Sequence, residues 1–122
     1  MQQKGRILLV ESNDLILDLL ERWLGEAGYT VVVGTLQSLA QAVGEVGEPE
    51  LIIVDVPTPR SAEKTIKSVK EVHAGPILLL SARFRRDSSI SMAHQLGVRN
   101  VLPKPFTRGE LLSAVGESID GQ

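Results

Sequence analysis

The chain has 122 residues, enough for one ordinary domain and too few for two well-packed cores, with 43% hydrophobic and 23% charged residues. No apolar run approaches the roughly 20 residues of a membrane span, and 13 basic against 15 acidic residues leave a net charge of −2, so neither a membrane nor nucleic acid is an expected partner. The absence of cysteine excludes disulfides, thiol catalysis and cysteine-bound zinc, and fits a cytoplasmic location.

Taken in chain order, the segment Met1 to Gly5 carries one lysine and leads into only four apolar residues, 7–10, far short of a signal peptide. That run is the first predicted strand. A helix follows, with Leu15, Ile16, Leu19, Leu20, Trp23 and Leu24 at i, i+3, i+4 spacing and stops at Gly25 and Gly28. The pattern then repeats: strands at 31–33, 51–54, 77–80 and 101–102 alternate with helices at 38–46, about 62–72, about 87–96 and 107–119. Thr107 and Glu110 have the spacing of a capping box, and Gly97 that of a helix stop. Most of the strands are continuous apolar runs, which argues for sheet covered on both faces. Five β-α units in succession predict an open, doubly wound α/β fold of the flavodoxin type, a five-stranded parallel sheet in order 2-1-3-4-5 with right-handed crossovers. One domain over residues 1–122 with no output domain is the expected organisation.

Functional groups in such sheets gather at the carboxyl ends of the strands. Those ends read Glu11 and Ser12 after the first strand, Asp55 after the third, Ser81 after the fourth and Lys104 after the fifth. Alone, each has a plain structural explanation: Asp55 can end a turn, Lys104 can be a solvated loop lysine, and Asn13 and Asp14 can cap or begin the first helix. His73 and His94 lack a partner at metal-ligand spacing and are expected at the surface or at helix ends. Trp23 and Met92 are core candidates on helical faces.

Together, "ILLVES", "LIIVD", "PILLLSA" and "VLPKPF", in that order along nearly the whole chain, resemble the receiver domains of bacterial response regulators. The resemblance implies that Asp55 is the phosphoacceptor, attacking a phosphohistidine or a small phosphodonor to give an acyl phosphate, and that the chain is a switch and not an enzyme. It implies that Ser81, Ala82 and Lys104 contact the phosphoryl group, with a cis bond before Pro105. Mg²⁺ is the implied cofactor, held by Glu11, Asp55 and the Pro57 backbone carbonyl, with Ser12 a weak or water-mediated contact. The implied partners are a histidine kinase or phosphotransfer protein and a downstream effector protein or output domain, with a homodimer through the last two helices as a further one.

Three positions depart from the family pattern. Ser12 stands where a second acid is usual, and a neutral hydroxyl is a poor ligand for a hard cation; Glu11 or Asp14 then has to compensate. The loop after Asp55, "DVPTPR", lacks the usual glycine-containing segment. Val101 stands where an aromatic ring usually couples phosphorylation to output. These departures keep an alternative alive: a pseudo-receiver that binds a protein partner without phosphorylation. A small-molecule site in the flavodoxin manner is disfavoured because the loop after the first strand is acidic.

Overall fold

The continuous apolar strands are explained by two cores, one on each face of a single sheet. In the computed structural model, which describes residues 5–11, 13–56, 59–81 and 89–120, the strands are β1 (Gly5–Val10), β2 (Tyr29–Val33), β3 (Leu51–Asp55), β4 (Ile77–Ser81) and β5 (Asn100–Pro103). All pairs are parallel, in the order β2-β1-β3-β4-β5. The helices are α1 (Asp14–Glu26), α2 (Leu39–Val46), α3 (Pro59–Lys70), α4 (Ser89–Leu96) and α5 (Arg108–Asp120). The predicted fold class and strand order are the observed ones.

Strand side chains alternate between faces, and the two core clusters follow that alternation. Ile7, Leu9, Leu51, Ile53, Leu78, Leu80 and Leu102 pack with Leu20 and Leu24 of α1 and Leu111, Ala114 and Val115 of α5. Leu8, Val10, Ile52, Val54, Leu79 and Val101 pack on the other side with Leu39 of α2, Ala62, Ile66 and Val69 of α3, and Ala93 of α4. In the middle of the inner strands successive residues are therefore apolar whichever face they point to. Strand β2, at one edge, is only half-buried along most of its length.

Helix ends follow their sequence signals. Thr107 and Glu110 form the reciprocal capping box, the Thr107 N–H donating to Glu110 Oε1 at 2.8 Å and the Glu110 N–H to Thr107 Oγ1 at 3.1 Å. Gly97 ends α4 at φ +69°, a left-handed conformation that glycine takes without steric cost.

His73 departs from expectation. It follows α3, but its side chain is buried, with Nδ1 2.6 Å from Glu48 Oε1 and Nε2 3.0 Å from the Pro76 carbonyl. A carbonyl only accepts, so Nε2 carries a proton. Both ring nitrogens thus lie within hydrogen-bond distance of partners in the loops before β3 and β4, which sequence spacing could not reveal. His94, in the last turn of α4, is exposed as expected.

Ile53, fully buried in the central strand, measures the α1/α5-side core. Ile53→Ala is expected to lower unfolding free energy by about 2–5 kcal/mol, read from urea denaturation monitored by circular dichroism.

Candidate functional site

The carboxyl ends of β1, β3 and β5 meet through one side chain. Lys104 follows β5, and its backbone N–H donates to the Ser81 carbonyl at 2.9 Å, carrying the β4–β5 ladder one step beyond the strand. From there its Nζ donates to Asp55 Oδ1 at 2.5 Å and to Glu11 Oε1 at 3.1 Å. The Glu11 side chain is 1% exposed, that of Asp55 15% and that of Lys104 19%. Ser81 is wholly buried at the end of β4, and among the described residues no buried side-chain polar atom lacks a hydrogen-bond partner.

Electrostatics follow from the burial. Burial acts most strongly on Lys104 and opposes its charged form, but hydrogen bonds to Asp55 and then to Glu11, with the charges of both, outweigh it. The ammonium is held above its ordinary value of 10.5.

Glu11 has a second contact. Its Oε2 accepts the Asn13 N–H at 3.1 Å, while Asn13 Oδ1 accepts from the N–H groups of Leu15 at 3.0 Å and Ile16 at 3.1 Å. Asn13 is thus the N-cap of α1, and Asp14 is the first helical residue. The sequence left open whether Glu11 or Asp14 would compensate for Ser12; Glu11 is the acid that reaches Asp55's lysine.

On the far side of Lys104 the chain turns through a cis Lys104–Pro105 bond into Phe106. Phe106 meets the Trp23 ring edge-on, centroids 6.5 Å apart at 63°. Trp23, a core candidate from sequence, is half-buried there, against a ring that lies two residues along the chain from the site lysine. A cavity of about 290 Å³ opens beside Glu11 and Asp55, walled by residues 34–37 of the β2–α2 loop. Reciprocal bonds hold that loop, from the Thr35 N–H to Ser38 Oγ at 3.2 Å and from the Ser38 N–H to Thr35 Oγ1 at 3.1 Å. This wall was missed in the sequence; Thr35 and Ser38, three residues apart ahead of a helix, were the available signal.

The sequence matches the response regulator receiver domain family over residues 7–116. The chain belongs to that family. It is therefore a receiver domain of two-component signalling, a class that works with histidine kinases and effector domains. It is 31% identical over 113 residues to the transcriptional regulatory protein PdtaR of Mycobacterium tuberculosis, covering 90% of this chain and 54% of that one. It is 29% identical over 112 residues to CpxR of Klebsiella pneumoniae, covering 91% of this chain and 47% of that one. The chain thus spans about half the length of these curated relatives. Among solved structures, the N-terminal domain of the nisin resistance regulator NsrR superposes with a TM-score of 0.78 at 23% identity, covering 96% of this chain and 99% of that one. The BeF3-activated receiver domain of Klebsiella pneumoniae RstA superposes with a TM-score of 0.76 at 20% identity, covering 93% and 97%. These two likenesses bear on the fold alone.

Receiver domains bind Mg²⁺ for phosphorylation. Glu11 and Asp55 fit that ion in kind, being carboxylates close enough together to share one cation, and oxygen is the donor Mg²⁺ prefers. In number the set is small: the described residues contain no cluster of three or more His, Cys, Asp or Glu able to hold a metal. Of the candidate residues, the structure brings Glu11, Asp55 and Lys104 into direct contact and sets Ser81 beside them. Ser12, Pro57 and Ala82 lie outside the described residues.

Because Lys104's value is raised by folding, its contribution to stability is complete below the unfolded value and lost as pH climbs through the folded one. The difference in urea midpoint between the native protein and Lys104→Met is expected to be constant through neutral pH. It should shrink only above pH 10.5.

Proposed function

We propose that the chain is a phosphoaccepting receiver in which Asp55 takes a phosphoryl group and thereby switches a protein-binding surface. The observation that carries this is the pairing of a partly exposed Asp55 carboxylate with a single, largely buried ammonium at 2.5 Å. In the transfer, an Asp55 oxygen bonds to phosphorus as the P–N bond of a phosphohistidine breaks and its electron pair returns to the ring nitrogen; with the other ring nitrogen already protonated, the donor leaves as a neutral imidazole and an acyl phosphate remains here. The attack sets an anion against an anionic phosphoryl group, so fixed positive charge is needed to make it feasible. Lys104 supplies it, since folding already places its Nζ at Asp55.

Glu11 and Asp55 would hold Mg²⁺, which when bound supplies charge neutralisation for the incoming phosphoryl group. With Ser12 in place of an acid, the ion is held more weakly than by a pair of adjacent carboxylates. The Ser81 hydroxyl donates to a phosphoryl oxygen. The site serves as a switch and not as an enzyme; in the cytoplasm it receives from a histidine kinase or phosphotransfer protein and signals to an effector protein or output domain.

A second reading, a pseudo-receiver that binds its partner without modification, is favoured by one observation. Glu11 already has both oxygens engaged, one by Lys104 and one by Asn13. Intact mass after incubation with acetyl phosphate and Mg²⁺ separates the two readings. One added phosphoryl group in the native chain and none in Asp55→Asn is the expected result; no gain in either supports the pseudo-receiver.

Trp23 provides a second readout through Phe106, which follows Lys104 and Pro105 directly. Its emission is expected to change on phosphorylation, and to stay constant in Asp55→Asn treated identically.

A further inference from the structure

Glu11 is engaged on two sides. Oε1 faces the Lys104 ammonium shared with Asp55, and Oε2 faces the backbone N–H of Asn13, whose own Oδ1 caps α1. With 1% of the Glu11 side chain exposed, water has little access to replace either partner. The two contacts sit on one planar carboxylate, so turning it to follow one partner moves it relative to the other.

We propose that Glu11 is a positioning residue that carries the state of Asp55 to the first turn of α1, through Lys104 on one oxygen and Asn13 on the other. This rests on the phosphoacceptor reading for the event that starts it. In the unmodified state the ammonium is divided between Asp55 and Glu11. A phosphoryl group on Asp55 adds about −1.5 to −2 charge and three acceptor oxygens, which draws Lys104 away from Glu11 Oε1. The carboxylate then reorients, and the Asn13 N–H loses its present acceptor geometry. Asn13 holds the amides of Leu15 and Ile16, so the α1 cap adjusts with it. The two ends of this coupling are Asp55, where the charge changes, and the α1 cap, where the change is read.

Val101, on β5, is 3% exposed and packed in the α2–α4 core, without a ring to swing between positions. Leu15 lies at the other end of the Glu11 route, 82% exposed. A change in the α1 cap is thus displayed at the surface, whereas a change at Val101 is enclosed.

The test uses ¹H–¹⁵N spectra of the native chain, Asp55→Asn, Glu11→Gln and the double variant. Asp55→Asn removes charge from the acceptor with no phosphorylation. It is expected to displace the amide signals of Asn13, Leu15 and Ile16, and the same change made in Glu11→Gln, where the ion pair to Lys104 is gone, should leave them in place. Lys104→Met, made in the native and Glu11→Gln backgrounds, repeats the comparison should the double variant not fold, with the same pattern expected. Signals that ignore Asp55→Asn and Lys104→Met overturn the proposal. So do displacements of equal size with and without Glu11, because the effect then bypasses that carboxylate. Whether Asp55 accepts phosphate is decided separately by the mass measurement, so the relay can fail while the phosphoacceptor reading stands.

Discussion

One ammonium holds together a rim that would otherwise repel itself. The sheet order places the ends of β1 and β3 side by side, and each ends in a carboxylate, Glu11 and Asp55. Two like charges largely withdrawn from water are unfavourable unless a cation lies between them. Lys104 arrives from β5, which β4 separates from β3. It has to cross the end of β4, and its backbone hydrogen bond to Ser81 marks the crossing. The rest of the site is arranged around this reach: a strand that stops at Pro103, a turn into Phe106, and a helix capped at once by Thr107 and Glu110.

The fold was largely legible because its signals are local and repeated. An unbroken apolar run such as "LIIV" can be satisfied only between two layers, and the alternation of such runs with helical spacing leaves few arrangements. Strands came out one or two residues longer than their apolar runs, because polar ends such as Asp55 and Asn100 still pair in the ladder. Helix boundaries were best where a cap spoke, as at Thr107 and Gly97. At α3 they were poorer, the helix beginning at Pro59, ahead of the first apolar residue that the pattern could detect.

The rim residues could be nominated from sequence, but their connections could not. Strand-end position was enough to nominate Glu11, Asp55, Ser81 and Lys104. Distances between residues 93 and 49 positions apart in the chain, as Lys104 is from Glu11 and from Asp55, have no sequence signature. The same holds for His73, whose carboxylate partner lies 25 residues away. Trp23 and Phe106 likewise belong to different elements, and only folding sets them edge to edge. Local grammar, by contrast, was readable in kind: Asn13 was a plausible cap before its partners were known, as a short polar side chain at the end of a strand usually is.

His73 gives the molecule a polarity of another sort. Its ring joins the Glu48 side chain to the Pro76 carbonyl, so the entrances of β3 and β4 are pinned together at the end of the sheet away from Asp55. Strands anchored at their entrances cannot slide along one another without breaking that pin. Pivoting at their exits leaves the pin intact whereas sliding breaks it, so the pin favours hinge motion over shear. In mechanical terms His73 stands where a fulcrum would, at the end of the sheet opposite Asp55.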